Sequence, residues 1–263
     1  MKKIINISVI VPLYNSEDTI QETLDSIFYQ TRGVFEIVVC DDASTDNSFN
    51  IVKLISERMN KVSLIVNEFE KGAAGARKTA IKYAKGNYIA FLDSDDKWMP
   101  KHIELQTDFF IKTGSDFIFS NYISVNKKSG VSRSYILPNK IDLNYLKYTN
   151  FIPCLSVVCK KTCLPYDEIP IIKKRNDYAL WLFILSKGLI ANNSGACNCV
   201  YLEDNGGLSA NKIDAIKYAQ KNLIVNAGVS QFSSYFYIIF HIGIALIKKR
   251  SPDLFNLIFG VKK

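Results

Sequence analysis

Between Ile7 and Leu92 the sequence alternates short apolar runs with segments of helical spacing, and few folds can accept that pattern. Ile7 to Leu13 (ISVIVPL), Phe35 to Cys40, Val62 to Val66 and Tyr88 to Leu92 are near-continuous hydrophobic stretches of the kind a parallel sheet buries on both faces. After the first run, Ile20, Leu24, Ile27 and Phe28 recur at helical spacing. Ile51, Leu54, Ile55 and Met59 form a second stripe, and Gly75 to Lys85 predicts a third helix with Ala76, Ala80 and Ala84 on one side. Such alternation implies right-handed crossovers, hence an α/β fold with a doubly wound, mostly parallel sheet. Ligands of these sheets bind beyond the carboxyl ends of the strands.

Polar residues gather at those ends. The first run closes in Pro12-Leu13-Tyr14-Asn15, the second in Asp41-Asp42-Ala43-Ser44-Thr45-Asp46, and the third leads to Lys71-Gly72-Ala73-Ala74-Gly75-Ala76-Arg77, a small-residue turn that lets a backbone or ligand approach closely. Asn15 and Asp46 taken singly read as ordinary turn or capping residues. The fourth run, NYIAFLDSDD, ends in Asp93, Asp95 and Asp96. Carboxylates this close repel one another unless a cation or a substrate neutralises them. Their spacing suits a hard divalent ion shared with phosphate oxygens.

Other function classes recede on composition. The six cysteines form no CxxC pair and only two histidines are available as co-ligands, which argues against a zinc site or a disulfide framework. Met1-Lys2-Lys3 precedes apolar residues, but Asn6, Ser8 and Pro12 interrupt them and no small-residue cleavage site follows, so the expected compartment is a reducing cytoplasm. Of the net charge of +8, residues 211–263 carry +6, from eight Lys or Arg against two Asp. The same stretch holds FSSYFYIIFHIGIALI, Phe232 to Ile247, followed by Lys248-Lys249-Arg250. That run is shorter than the roughly 20 residues of a membrane span. An interfacial helix on anionic lipid and a helix packed on the main domain both fit it. No nucleic-acid partner is expected, because the basic residues are not interleaved with aromatics along a groove.

Beyond Trp98 the periodicity loosens. A helix over Lys101 to Thr113, a strand over Asp116 to Val125, a loop over Asn126 to Arg133 and a strand over Cys154 to Cys159 are readable. Lys173-Lys174-Arg175-Asn176-Asp177 then leads into an apolar helix, where Asp177 is either a cap or a functional acid.

VIVPLYN, DDASTD, GAAGARKTA and IAFLDSDD together resemble the motifs of family 2 glycosyltransferases of the GT-A fold, in the family's order and approximate spacing over residues 7–100. The KKRNDYALWL and GLSANK stretches are similar to small bacterial enzymes of surface-polysaccharide and O-antigen assembly. The resemblance implies a nucleotide-binding half over residues 1–97, an acceptor-binding half over 98–210 and a basic helical segment over 211–263. Pro12, Tyr14, Asp42, Arg77, Asp93 and Ser94 would line the donor nucleotide, with Tyr14 stacked on the base, Asp42 accepting from it, Arg77 beside it and Asp93 at the ribose. Asp95 would bind Mn2+ or Mg2+ bridging the diphosphate. Asp96, Trp98 and Asn176 would face the donor sugar or the acceptor.

Relatives of this type carry an acidic pair where this chain has Asn176-Asp177, which leaves Asp177 as the implied general base of an inverting displacement. The stretch Tyr201 to Lys212 resembles the family's diphosphate loop, with Leu202 in place of a common Arg and with Ser209 and Lys212 as the candidate phosphate contacts. The implied reaction moves a hexose, glucose or galactose, from a UDP-sugar to a hydroxyl of a lipid-diphosphate-linked saccharide, at the inner face of the cell membrane. A non-catalytic sugar-nucleotide or lipid-binding protein on the same fold is one alternative. A dinucleotide-dependent oxidoreductase is another, although Lys71 to Arg77 lacks GxGxxG and follows the third strand, not the first.

Overall fold

The computed structural model describes residues 4–203 and 212–260. Its first half is the wound unit that the alternation predicts: β1 (Ile7–Leu13), α1 (Ile20–Phe28), β2 (Glu36–Asp41), α2 (Ser48–Arg58), β3 (Val62–Val66), α3 (Ala73–Tyr83) and β4 (Tyr88–Phe91). The second half follows with β5 (Lys97–Trp98), α4 (His102–Thr113), β6 (Phe117–Asn126), β7 (Ser132–Tyr135), β8 (Lys140–Ile141), α5 (Leu143–Leu146), β9 (Val158–Lys160), α6 (Asn176–Ser186) and β10 (Ala191–Glu203). Three helices close the described chain: α7 (Lys212–Ala227), α8 (Gln231–Arg250) and α9 (Pro252–Phe259).

All ten strands join one sheet, whose main path runs β3-β2-β1-β4-β9-β6-β10-β5, with β7 on β6 and β8 on β10. β1 pairs in parallel with β2 and β4, β2 with β3, and β6 with β10. β9 is antiparallel to both β4 and β6, so it splices two parallel blocks into one mostly parallel sheet. Every residue of β1 and β2 is buried, as helices on both faces require. Across the splice, Trp181 of α6 receives the edges of Phe91 and Phe117, with ring centroids 5.4 and 5.3 Å away.

Several expected elements differ in detail. β2 starts at Glu36 and Phe35 is left exposed, because the Glu36 carboxylate is held inside by the Ser8 hydroxyl at 2.6 Å. α2 buries Ser48 and Val52, while Leu54 and Met59 of the expected stripe face solvent. Cys154–Ser156 forms a 3-10 turn after Pro153, and only the end of the expected CLSVVC strand survives as β9. The stretch expected as a loop over 126–133 already contains the start of β7.

The second of the C-terminal helices packs on the domain by one face only. α8 turns Ser234, Ile238, His241 and Ile244 into the domain and leaves Phe232, Tyr235, Phe236, Ile239, Phe240 and Leu246 exposed. No described helix is long and apolar enough to cross a membrane. All six cysteines are free.

Candidate active site

The carboxyl ends of β1, β2 and β4 converge with the start of α3, as the wound topology demands. At the end of β1, Pro12 lies opposite Cys40 and is buried. Tyr14 is 46% exposed, with the Lys71 ammonium 4.5 Å from its ring centroid. Asn15 adopts a left-handed φ of 45°, and its side-chain oxygen accepts from the Thr45 N–H at 2.8 Å, which ties the β1 turn to the β2 turn.

Asp42 is buried and committed on both oxygens, accepting from the Asn67 amide at 2.6 Å and from the Gly72 N–H at 2.7 Å. It therefore shapes the entrance of α3. Asp41 beside it holds the Ala43 and Ser44 N–H groups with one oxygen and leaves the other, buried, without a partner. In the α3 entrance Gly75 is obligatory: a Cβ there would lie 2.1 Å from the Glu70 carbonyl oxygen.

Arg77, buried in α3, joins the two halves of the site. One end of its guanidinium donates to Asp93 at the end of β4, the other to the side-chain oxygen of Asn176 at the start of α6. Burial opposes its charge, but the adjacent Asp93 carboxylate outweighs that and holds Arg77 above its usual range. Next to Asn176, Asp177 accepts a hydrogen bond from the Asn150 amide at 2.8 Å. Arg77, Asp93, Asn176, Asp177 and Asn150 thus form one connected group, spread over 101 positions of sequence between Arg77 and Asp177.

The rest of the β4 cluster divides by environment. The Ser94 hydroxyl meets that of Ser16 at 2.7 Å, and its carbonyl accepts from Thr19 and Thr23, each at 2.9 Å, strapping the turn to α1. Asp95 remains partly exposed. Asp96 is buried, accepts the Leu202 N–H at 3.2 Å and so pins the end of β10; burial first, then the Asp93 and Asp95 charges, push its carboxyl well above the usual range. Trp98 corrects an expectation. It is 4% exposed, stacks on His102 at 4.7 Å and donates its indole N–H to the Leu155 carbonyl at 2.7 Å, so the ring is committed to the core and not to a sugar. Ser209 and the Lys212 side chain lie outside the described residues.

Among the described residues no group of three or more His, Cys, Asp or Glu is arranged to hold a metal ion. Asp93 and Asp95 are nevertheless hard oxygen donors at a strand end, and an ion that takes one or two carboxylates and completes its shell with diphosphate oxygens needs no larger set. The residues present fit such an ion. Asn150, and the part of Asn67 as the partner of Asp42, were missed in the sequence. Each is an isolated Asn in a loop, with no motif to mark it.

Fold and site define a GT-A glycosyltransferase. Residues 8–163 match the profile described as Glycosyl transferase family 2, more than half of the chain, and the protein belongs to that family. The oxidoreductase reading falls with this assignment. Among its relatives is the Escherichia coli UDP-Glc:alpha-D-GlcNAc-diphosphoundecaprenol beta-1,3-glucosyltransferase WfgD, 40% identical over 81% of each chain. WfaP of the same species, described by the same activity, is 39% identical over 85% of this chain and 87% of its own. In fold, the chain matches Staphylococcus aureus TarS 1-349 in complex with UDP-GlcNAc at a TM-score of 0.69, with 21% identity over 95% of this chain and 75% of that one. It also matches the Pyrobaculum calidifontis mannosyltransferase PcManGT in complex with GDP-Man and Mn2+ at 0.67, with 17% identity over 95% and 77%.

Proposed function

We propose that this enzyme transfers glucose from UDP-glucose to a hydroxyl of a saccharide carried on a lipid diphosphate, in the assembly of a bacterial surface polysaccharide. The observation that carries the reaction is the Arg77 bridge, which fixes the acidic end of β4 and the Asn176-Asp177 start of α6 as two walls of one site. The substrate class is supported by two relatives near 40% identity whose described activity joins UDP-Glc to GlcNAc-diphosphoundecaprenol.

In this mechanism the exposed Tyr14 face stacks on the donor base, with Pro12, Asp42 and Ser94 shaping the wall around it. Arg77 holds the Asp93 carboxylate oriented at the ribose side. Asp95 would hold a divalent ion, which would offset charge developing on the departing diphosphate. Asp177, oriented by Asn150, takes the proton from the acceptor hydroxyl as that oxygen attacks the anomeric carbon. A single base opposite the leaving diphosphate implies one in-line displacement with inversion. Asn176 lies at the junction of donor sugar and acceptor, and Ser209 and Lys212 are assigned to the diphosphate. The exposed apolar face of α8 and α9, with Lys249 and Arg250 beside it, rests the enzyme on the anionic inner face of the membrane.

The test is transfer by the purified full chain with Mn2+, UDP-glucose, UDP-galactose or UDP-GlcNAc, and a short-chain GlcNAc-α-diphosphate lipid. The expected product carries one β-linked glucose by NMR. A product that retains the donor's α configuration would refute the single displacement, and preference for another sugar would refute the donor. Flotation with phosphatidylglycerol vesicles tests the membrane contact, which Ile239→Asp with Phe236→Asp should abolish.

A further inference from the structure

Behind the start of α6, Arg175, His241 and Lys248 lie near enough to act on one another, and among the described residues none of them is in an ion pair, although the Asp177 and Glu203 carboxylates also face Lys248. Arg175, the residue before α6, holds a left-handed φ of 55°, which is rare for a long side chain. The conformation is fixed by the Asn222 amide, which donates to the Arg175 carbonyl at 3.0 Å, and the Arg175 Nε is buried without a partner. His241 of α8 is 4% exposed and its Nδ1 also lacks a partner, with its ring 5.8 Å from that of Tyr178. The Lys248 ammonium sits over Tyr135, Tyr122 and Phe255 at 5.1, 5.2 and 5.7 Å from the ring centroids.

Their mutual influence is visible in their protonation. Burial, reinforced by Arg175 and Lys248, pulls His241 down to about 4; burial and Arg175 pull Lys248 down to about 8 against the opposing influence of Tyr135, Glu203 and Asp177. Neighbouring Lys174 is matched by Asp214 at 2.8 Å, yet among the described residues neither Arg175 nor Lys248 joins an ion pair. Covered cations such as Arg175 and Lys248, here beside a neutral imidazole, are unfavourable until an anion completes them.

We propose that Arg175, His241 and Lys248 form a subsite for a phosphate-type anion, and that its occupant is the diphosphate of the acceptor. The occupant rests on the acceptor reading above; the anion site does not. Three features converge on it. The N-terminus of α6 adds its own partial positive charge at Arg175. Asp177 stands two residues further along that helix, so a sugar whose hydroxyl meets Asp177 can reach back with its anomeric diphosphate to Arg175. Lys248 belongs to α8, whose outward face presents Ile239, Phe240 and Leu246, so a lipid tail leaving the diphosphate meets apolar surface next.

With only two histidines in the chain, the His241 ring signals can be assigned by comparison with His241→Gln. In UDP-saturated protein, inorganic pyrophosphate should shift those signals, with affinity weakened about tenfold or more in Arg175→Gln and Lys248→Gln. The same two variants should collapse, by about tenfold or more, the ratio of KM values that favours a GlcNAc-α-diphosphate alkyl acceptor over the phosphate-free GlcNAc-α-alkyl glycoside. Lys248→Arg keeps the charge over the rings and should keep most of that preference, which separates lost charge from lost packing.

No response of His241 to pyrophosphate, or equal losses on the two acceptors, overturns the proposal. A response to phosphatidylglycerol vesicles alone assigns the anion site to lipid headgroups and overturns its acceptor role. A pyrophosphate response in an enzyme that uses no lipid-diphosphate acceptor upholds the anion site and refutes the acceptor reading.

Discussion

The donor wall and the acceptor wall of the site are built on different principles. On the donor side most fastening contacts are short in sequence, Asn15 to Thr45, Asp42 to Asn67 and Gly72, Asp41 to Ala43, and even the longer straps from Ser94 to Ser16, Thr19 and Thr23 stay within one wound unit of parallel strands. On the acceptor side Asn150 to Asp177 is local, but the contacts that join this wall to the first unit reach far, from Arg77 to Asn176 across 99 positions and from Asp96 to Leu202 across 106. A wound unit carries its own site with it. The acceptor wall exists only because β9 splices the second block of strands onto the first and Arg77 is shared between them.

Substitutions can break this contrast in order of expected size. Asp177→Asn removes the proposed base and should lower turnover by about 10² to 10⁴ while UDP affinity, read by calorimetry, stays close to wild type. Near-normal turnover would end the assignment. Arg77→Met leaves Asp93 without its partner at a buried junction and should cost about 3–5 kcal/mol of unfolding free energy by denaturant titration. A stable Arg77→Met protein would mean that the two walls hold together without it.

Asn150→Ala frees Asp177 from its amide donor, a loss of about 1.5–3 kcal/mol that should appear in kcat more than in the donor KM. Asn150→Asp replaces the amide donor by a second carboxylate beside Asp177 and should lower kcat at least as far as Asn150→Ala. An unchanged kcat in both variants would detach Asn150 from the chemistry. Least of all, Trp98→Phe should cost about 1 kcal/mol of stability through the lost bond to Leu155 and little turnover; a collapse in kcat would return Trp98 to the substrate site.

The same contrast explains what could be read from the sequence. β1 to β4 were legible because parallel strands covered on both faces must be apolar throughout, and the polar clusters at their ends follow from the topology. Phe35 and Leu54 misled because apolar character alone does not record exposure, and a buried Glu36 satisfied by Ser8 has no signature in a hydrophobic run. CLSVVC read as a strand because composition ignores the turn that Pro153 starts. Asp177 stood out through its motif, whereas Asn150 could be recognised only after folding brought it to 2.8 Å. Trp98 misled for a related reason: an indole beside an acidic cluster suits a sugar platform and a core equally until its N–H finds the Leu155 carbonyl.

The six free cysteines have a practical consequence. Burial pushes the Cys40 thiol up to about 12 and Cys163 up to about 11, and it raises Cys154, Cys159, Cys197 and Cys199 as well. At neutral pH all six stay protonated and are poor nucleophiles. A single cysteine introduced in place of Phe232, the most exposed large apolar residue of α8, would outcompete them for a maleimide dye. The native chain is therefore already suited to site-specific labelling, and a fluorophore at that position would report directly whether the outer face of α8 leaves water.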